Sequence, residues 1–173
     1  MDADLVLRRL VAADLPAYKA LRDEALAAEP TAFTSDAATE AKRDAFSYLG
    51  RLGLDRPEGG QFVVGAWHGE RLVGAIGCER DRRAKVRHLG HVIGTMVRAE
   101  ERGRGTGRAL LEALIAEARR ADGIELLTLT VTAGNAPAIR LYERAGFMRY
   151  GTQPRAIRVD GRDLDKDLMV LVL

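Results

Sequence analysis

The sequence predicts a mixed α/β fold in one domain. Segments with alternating apolar residues and segments with apolar residues at helical spacing follow in the order β-α-α-β-β-β-α-β-α-β-β. The length of 173 residues suits one domain with a core of ordinary size. The composition agrees, because 47% hydrophobic and 30% charged residues are typical of a globular protein.

The first half of the chain is predicted to form three strands and two helices. Asp14 is placed to cap the first helix, and Pro16 is tolerated in its first turn. Phe46, Leu49 and Leu52 would form the apolar face of the second helix. These elements are expected at residues 5–11 (strand), 14–30 (helix), 38–52 (helix), 61–67 (strand) and 71–78 (strand), the last two joined as a hairpin.

The second half is predicted to form four strands and two helices. Gly146 is placed to stop the second of these helices, and Asp160-Gly161 marks a turn between the last two strands. The elements are expected at residues 86–97 (strand), about 108–121 (helix), 125–132 (strand), 136–145 (helix), 147–151 (strand) and 164–171 (strand). The last strand is apolar, so it would either complete the sheet or pair across a homodimer.

Charge, cysteine content and hydropathy exclude several classes of protein. A net charge of +2 gives no reason to expect a nucleic acid or a membrane as partner. Cys78 is the one cysteine, so no internal disulfide can form, and it is interpreted as a strand residue rather than a nucleophile. Three scattered histidines do not make a metal site. The acidic start, Met1–Asp4, does not resemble a signal peptide, so a cytoplasmic location is expected.

A glycine-rich stretch, Arg102-Gly103-Arg104-Gly105-Thr106-Gly107, lies between a predicted strand and a predicted helix. Unobstructed backbone N–H groups at a helix N-terminus attract phosphate oxygens, and the arginines add positive charge there. It is not a Walker A loop, because Arg108 follows Gly107 where Lys-Ser/Thr is required. It is not a dinucleotide fingerprint either, because the third glycine is missing from both possible registers. A tight turn with solvated arginines is the structural alternative.

The sequence resembles the GCN5-related N-acetyltransferase (GNAT) family at two motifs. Arg102-x-x-Gly105-x-Gly107 is similar to the family's pyrophosphate loop. The segment Asn135–Phe147 is similar to its Asn-x-x-Ala-x-x-Leu-Tyr…Gly-Phe motif. The resemblance spans nearly the whole chain, and it implies a central, mostly antiparallel sheet of six to seven strands flanked by about four helices.

The resemblance implies acetyl-CoA as the acetyl donor and no metal. In the family the pyrophosphate sits on the loop backbone, and strand N–H groups hold the pantetheine arm and polarise the acetyl carbonyl. Asn135 would also serve as an N-cap. The residues implied as cofactor-binding are Met96, Val97, Arg102, Gly103, Arg104, Gly105, Thr106, Gly107, Arg108, Asn135, Ala138 and Tyr142.

For catalysis, the resemblance makes Tyr142 the acid that protonates the departing thiolate, against a packing role as the alternative. Many family members place a glutamate as general base where this chain has His91, and an imidazole titrates near neutrality. Glu79 in the neighbouring strand is the second candidate, and an activated water is the third. Glu100 and Glu101 are expected in a solvated turn, and His68 is expected to face solvent.

The implied function is N-acetylation of a primary amine on a small molecule or a peptide. Five acidic residues of the early helices, which could attract a cationic amine or be the solvated faces of those helices, are Asp23, Glu24, Glu29, Asp36 and Glu40. A CoA-binding regulatory module without turnover is the main alternative, and a mononucleotide phosphate binder is a third hypothesis.

Overall fold

The computed structural model describes residues 5–173; the acidic segment Met1–Asp4 lies outside the described residues. The strands are β1 (Leu5–Arg9), β2 (Phe62–His68), β3 (Arg71–Arg80), β4 (Leu89–Val97), β5 (Leu126–Thr132), β6 (Met148–Val159) and β7 (Arg162–Val172). The α-helices are α1 (Leu15–Ala28), α2 (Ala37–Ala41), α3 (Thr106–Arg120) and α4 (Ala136–Arg144). Short 3₁₀ helices occupy Ala12–Asp14, Ala45–Leu52 and Ala99–Glu101.

All seven strands form one sheet in the order β1-β2-β3-β4-β5-β7-β6. Neighbouring strands are antiparallel except for β4 and β5, which run parallel. The predicted mixed α/β fold, with a mostly antiparallel sheet and helices around it, is therefore confirmed. Among residues 5–173 no helix has both the length and the apolar character needed to cross a membrane.

Two apolar clusters pack on opposite faces of the sheet. On one face, Leu110 and Leu114 of α3 are fully buried against Ile76 and Leu127. On the other face, Leu15 and Leu21 of α1 are buried with the 3₁₀ helix Ala45–Leu52 against β2 and β3. Cys78 lies in the first cluster, where burial raises the pKa of its thiol to about 12. This agrees with the prediction of a strand residue rather than a nucleophile, because the reactive thiolate does not form at neutral pH.

The prediction of one continuous helix over residues 38–52 is wrong, because the helix is interrupted in its middle. Asp44 begins a separate 3₁₀ helix there, and its carboxylate accepts a hydrogen bond from the backbone N–H of Phe46 at 2.8 Å. Phe46 and Leu49, predicted to be buried, are 57% and 43% exposed. Tyr48 is buried in their place. Asp14 is the N-cap residue of α1, as predicted, but its side chain makes no cap hydrogen bond, because its carboxylate accepts from Arg8 and from the backbone N–H of Val11 instead.

The strands also differ from the prediction in length. Residues 86–88 form a turn, so β4 begins at Leu89. The predicted strand at residues 147–151 continues to Val159 through Pro154, which an edge strand tolerates because its outer N–H groups need no partner. β7 pairs with β5 on one side and β6 on the other, so it completes the sheet and has no free edge for a dimer partner.

A buried ion pair ties α1 to α2. Arg22 Nε donates to Glu40 Oε2 at 2.7 Å, and the Tyr48 hydroxyl donates to the same oxygen at 2.6 Å. Burial alone would raise the pKa of Glu40, but the hydrogen bonds from Tyr48 and Arg22 outweigh it and lower that pKa from 4.5 to about 2. These three side chains hold together the helices that pack on one face of the sheet.

Replacing Glu40 by Gln should therefore lower the free energy of unfolding by about 3 kcal/mol, because Arg22 is left buried without its counter-ion. Urea denaturation at pH 7 measures the loss. The exposed Glu112, which pairs with Arg108, is the control, and Glu112→Gln should cost under about 0.5 kcal/mol.

The same pair predicts a pH dependence. The folded-state pKa of Glu40 is lowered, so its contribution to stability is complete above about pH 4.5 and is lost as the pH falls towards 2. The parent protein should lose more stability over this interval than Glu40→Gln does. Equal slopes for the two proteins would contradict the assignment.

Candidate active site

A V-shaped cleft opens where the two parallel strands diverge. β4 and β5 pair only at Leu89–Leu126, Gly90–Leu127 and His91–Thr128, although both strands continue for several residues beyond. The space between the diverging ends is a cavity of about 310 Å³. Residues of β4 from Val92 to Val97 line one wall, and Leu129–Val131 of β5 line the other. Backbone groups of both strands that would pair in a continuous sheet therefore border this cavity.

A β-bulge at Gly94 sets the directions of the side chains in the cleft. Between the pairs Ile93–Gly77 and Met96–Ala75, β4 has two residues, Gly94 and Thr95, where β3 has one, Ile76. Gly94 takes up the extra residue with a φ of +57°, a conformation that favours glycine. The extra residue breaks the alternation, so Met96 packs its side chain into the α1-side core while Thr95 turns towards α4.

Tyr142 of α4 lies at the floor of this cleft. Its side chain is 7% exposed, its ring packs edge-on against Phe147, and its hydroxyl donates to Thr95 Oγ1 at 3.1 Å. Burial raises the pKa of the phenol, an effect that the hydrogen bond to Thr95 only partly opposes. At neutral pH the site therefore holds a protonated, largely desolvated proton donor.

The glycine-rich stretch forms the turn between the 3₁₀ helix Ala99–Glu101 and α3. Gly103 and Gly105 both have positive φ, +75° and +89°, and Gly105 is the N-cap of α3. A Cβ at either position would meet nothing within 4 Å, so no neighbouring group crowds the backbone on that side. Thr106 is buried, so its side chain is not available to a ligand.

A second cavity of about 740 Å³ lies over this turn, between α3 and α4. It shares five lining residues with the cleft, namely Val97, Arg102, Pro137, Ala138 and Leu141. The two cavities therefore adjoin, and their combined lining, called the channel below, runs from the glycine turn to Tyr142. Asn135, near the junction, caps α4 by accepting from the backbone N–H of Ala138 at 3.3 Å.

The three arginines of the turn differ in their ion pairs and exposure. Arg102 forms an ion pair with Glu29 of the loop that follows α1, and Arg108 is paired with Glu112 one turn along α3 at 2.7 Å. Arg104 is exposed. All three lie at the positive end of α3, so the mouth of the channel carries the charge that an anionic group requires.

The loop between α1 and α2 closes one side of the cleft. Thr132 Oγ1 donates to the carbonyl of Thr31 at 2.6 Å, and the buried Lys166 donates to Thr34 Oγ1 at 2.5 Å. These anchors on β5 and β7 hold Glu29 and Phe33 in the lining of the cavity.

His91 and Glu79 are neighbours across β3 and β4, at the closed end of the cleft. Both are outside the cavity lining. His91 Nδ1 lies 2.5 Å from Thr128 Oγ1, which leaves Nε2 as its available nitrogen. Glu79 lies 3.9 Å from Arg51. The structure thus brings the two candidate bases together with each other but not with Tyr142.

Two expectations, for Glu101 and His68, were wrong. Glu101 is 7% exposed, not solvated, and its carboxylate lies 3.3 Å from His68 Nε2, so His68 does not simply face solvent. The five acidic residues of the early helices, for which two interpretations were left open, each have a partner within the protein. Their partners are Lys19 for Asp23, Arg98 for Glu24, Arg102 for Glu29, the backbone of Thr39 for Asp36, and Arg22 for Glu40.

Sequence reasoning missed Thr95 as the partner of Tyr142, and Arg51 beside Glu79. Neither belongs to a motif, and the bulge that orients Thr95 had only Gly94 as a signal. In residues 5–173 no group of three His, Cys, Asp or Glu side chains is arranged to hold a metal ion.

A family model described as "Acetyltransferase (GNAT) family" matches residues 18–147. The chain belongs to this family. The predicted class of acetyl-CoA-dependent N-acetyltransferases is confirmed at the level of the family, whose acetyl donor is acetyl-CoA.

Two solved structures match over nearly the whole chain. A ribosomal-protein-alanine N-acetyltransferase from Brucella melitensis is 30% identical with a TM-score of 0.82, covering 97% of this chain and 99% of that one. The structure of yncA from Salmonella typhimurium with its cofactor acetyl-CoA is 25% identical with a TM-score of 0.83, covering 98% and 94%.

A curated relative, the L-methionine sulfoximine/L-methionine sulfone acetyltransferase of Pseudomonas paraeruginosa, is 42% identical over 77 residues. This match covers 44% of each chain, so it spans less than half the length of that relative.

The backbone of the glycine turn predicts opposite effects for two substitutions. Gly105→Ala should lower the free energy of unfolding by about 1–2 kcal/mol, because a side chain is strained at a φ of +89°. Gly107→Ala should raise it by up to about 1 kcal/mol, because Gly107 lies within α3 and its new methyl group would make ordinary contact with Leu141. Urea denaturation without cofactor measures both. Destabilisation of equal size at the two positions would contradict this account of the turn.

Proposed function

We propose that this chain transfers the acetyl group of acetyl-CoA to a primary amine of a small molecule or a protein. The observation that carries the proposal is the channel of two adjoining cavities from the glycine turn to the buried Tyr142. The channel fits the donor: it offers open backbone N–H groups and positive charge at one end, and a proton donor between two strand edges at the other.

In this proposal the turn from Arg102 to Arg108 binds the pyrophosphate through backbone N–H groups, while the arginine side chains add charge. The backbone of Met96 and Val97, beyond the bulge, binds the pantetheine arm, and Ala138 and Asn135 line the opposite wall. A strand N–H near Met96 polarises the acetyl carbonyl. When bound, acetyl-CoA supplies an activated thioester.

The chain's own residues manage the protons. The acceptor nitrogen must lose a proton from its ammonium form before it can attack the thioester carbon; the new C–N bond replaces the C–S bond. Tyr142 donates its proton to the departing sulfur. The second proton, which the nitrogen releases as the amide forms, returns through water to the Tyr142 phenolate. We propose His91 as the acceptor of the ammonium proton through water, because Nε2 is available, whereas Glu79 faces Arg51.

The relatives support the acceptor class as predicted. One is named for free amino-acid derivatives and another for a ribosomal-protein alanine, so both a small molecule and a protein amine are represented. These names lend no support to a regulatory module without turnover. The seven strands within residues 5–173 form one sheet, which favours the predicted single domain. Cytoplasmic location, homodimer formation and the absence of a nucleic-acid partner stay predictions.

Replacing Tyr142 by Phe should lower kcat by about 100-fold or more, because the departing thiolate loses its proton donor. Acetyl-CoA affinity should change little, since the ring and its packing on Phe147 are kept. Thiol release with an amine substrate measures kcat, and calorimetry measures binding.

The control is Tyr150→Phe, which removes a hydroxyl from an exposed residue of β6 and should leave kcat unchanged. Full activity in Tyr142→Phe would overturn the role of Tyr142. Failure of the parent to acetylate any amine in a broad panel would overturn the proposed function.

A further inference from the structure

Arg51 lies at the end of the 3₁₀ helix Ala45–Leu52, on the α1 side of the sheet and next to the cleft. Its Nη1 donates to the Tyr18 hydroxyl at 3.1 Å. That hydroxyl lies 3.6 Å from the position that a Cβ on Gly94 would occupy, and Gly94 lines the cleft. On its other side, Arg51 Nε lies 3.9 Å from Glu79. Arg51 therefore stands between the bulge of β4 and the Glu79–His91 pair.

The guanidinium of Arg51 has unused hydrogen-bonding capacity. It carries five N–H donors, of which one is used by Tyr18, while the Tyr48 ring packs 5.2 Å from its central carbon. The separation of 3.9 Å from Glu79 is too long for a hydrogen bond. The contrast is Arg22, whose guanidinium is buried and bonded to both Glu40 and Ser35.

The side chain of Arg51 is 24% exposed, so most of it is withdrawn from water while part of it remains accessible. Tyr18 and Tyr48 hold it in one place. A fixed, partly desolvated guanidinium with free donors is suited to a carboxylate, which it can bind through two parallel hydrogen bonds.

We infer that the acceptor is a free α-amino acid or a close derivative, and that Arg51 binds its carboxylate. This inference rests on the proposed function. In an α-amino acid one carbon separates carboxylate from amine, so a carboxylate on Arg51 would keep the amine within a few ångströms of the guanidinium. The Tyr18 hydroxyl that Arg51 binds lies beside the bulge at Gly94, which lines the cleft.

A protein N-terminus has an amide in place of this carboxylate, and that difference supplies the test. The probes are L-amino acids and the corresponding L-amino-acid amides, compared pairwise at one pH by thiol release. The parent protein should show a higher kcat/KM for acids than for their amides. Arg51→Gln should lower kcat/KM for the acids by about 100-fold, mainly through KM, and leave the amides nearly unchanged. Comparing the acid-to-amide ratio between the two proteins cancels the difference in amine basicity.

Arg82→Gln is the matched control, because Arg82 is an exposed arginine paired with Asp55 and should not affect the ratio. Arg51→Lys keeps the charge and should retain part of the preference for acids. Acetyl-CoA binding by each variant, measured by calorimetry, verifies that the fold is intact.

Two results would overturn the inference while leaving acetyl transfer in place: a parent protein that uses amides as well as acids, or an Arg51→Gln variant whose ratio equals that of the parent. Release of no thiol with any amine would instead remove the proposed function, and this inference with it.

Discussion

The site depends on the point where backbone pairing between β4 and β5 ends. Three residue pairs hold these strands together, the last being His91 with Thr128, and beyond it the strands separate. Parallel strands that stayed paired would use their backbone groups on each other and leave no channel. Divergence leaves those groups bordering a cavity and exposes Thr95 to Tyr142. Much of the remaining structure serves to hold this opening, through the bulge at Gly94 and through α4 beneath it.

The helical cover on the α1 side is the second structural requirement. The Arg22–Glu40–Tyr48 cluster fixes α1, α2 and the 3₁₀ helix to one another, and this helix carries Arg51 to the edge of the cleft. Lys166 and Thr132 attach the intervening loop to the far strands. The side of the cleft proposed to bind the amine, here called the acceptor side, is therefore built from segments distant in sequence. The side proposed to bind acetyl-CoA comes from two contiguous motifs.

This division explains what the sequence could predict. The glycine turn and the α4 segment carry their information locally, because a left-handed glycine, an N-cap and a helical repeat each need only a few residues. These two motifs could therefore be placed from the sequence and led to the family, while the seven strands were predicted from the pattern of apolar residues. β6 was predicted too short. Its continuation through Pro154 is accommodated by the position of β6 at the sheet edge and by the irregular register against β7 between Gln153 and Ile157.

The acceptor side was not predictable in the same way. The partners of Glu40, Glu101 and Arg51 lie between three and 33 residues away, and nothing in their local sequence indicates which acidic residues become buried. The bulge at Gly94 shifts the alternation of β4, so a count of positions from Thr95 cannot place the His91 side chain relative to the cleft.

The central claim is that the channel positions the thioester of acetyl-CoA beside Tyr142. A crystal structure of the protein with CoA tests it most directly. The account predicts the pyrophosphate on the backbone N–H groups of residues 103–107, the pantetheine arm between β4 and β5, and the sulfur within hydrogen-bond distance of the Tyr142 hydroxyl. CoA bound elsewhere, or a sulfur out of reach of that hydroxyl, would contradict it.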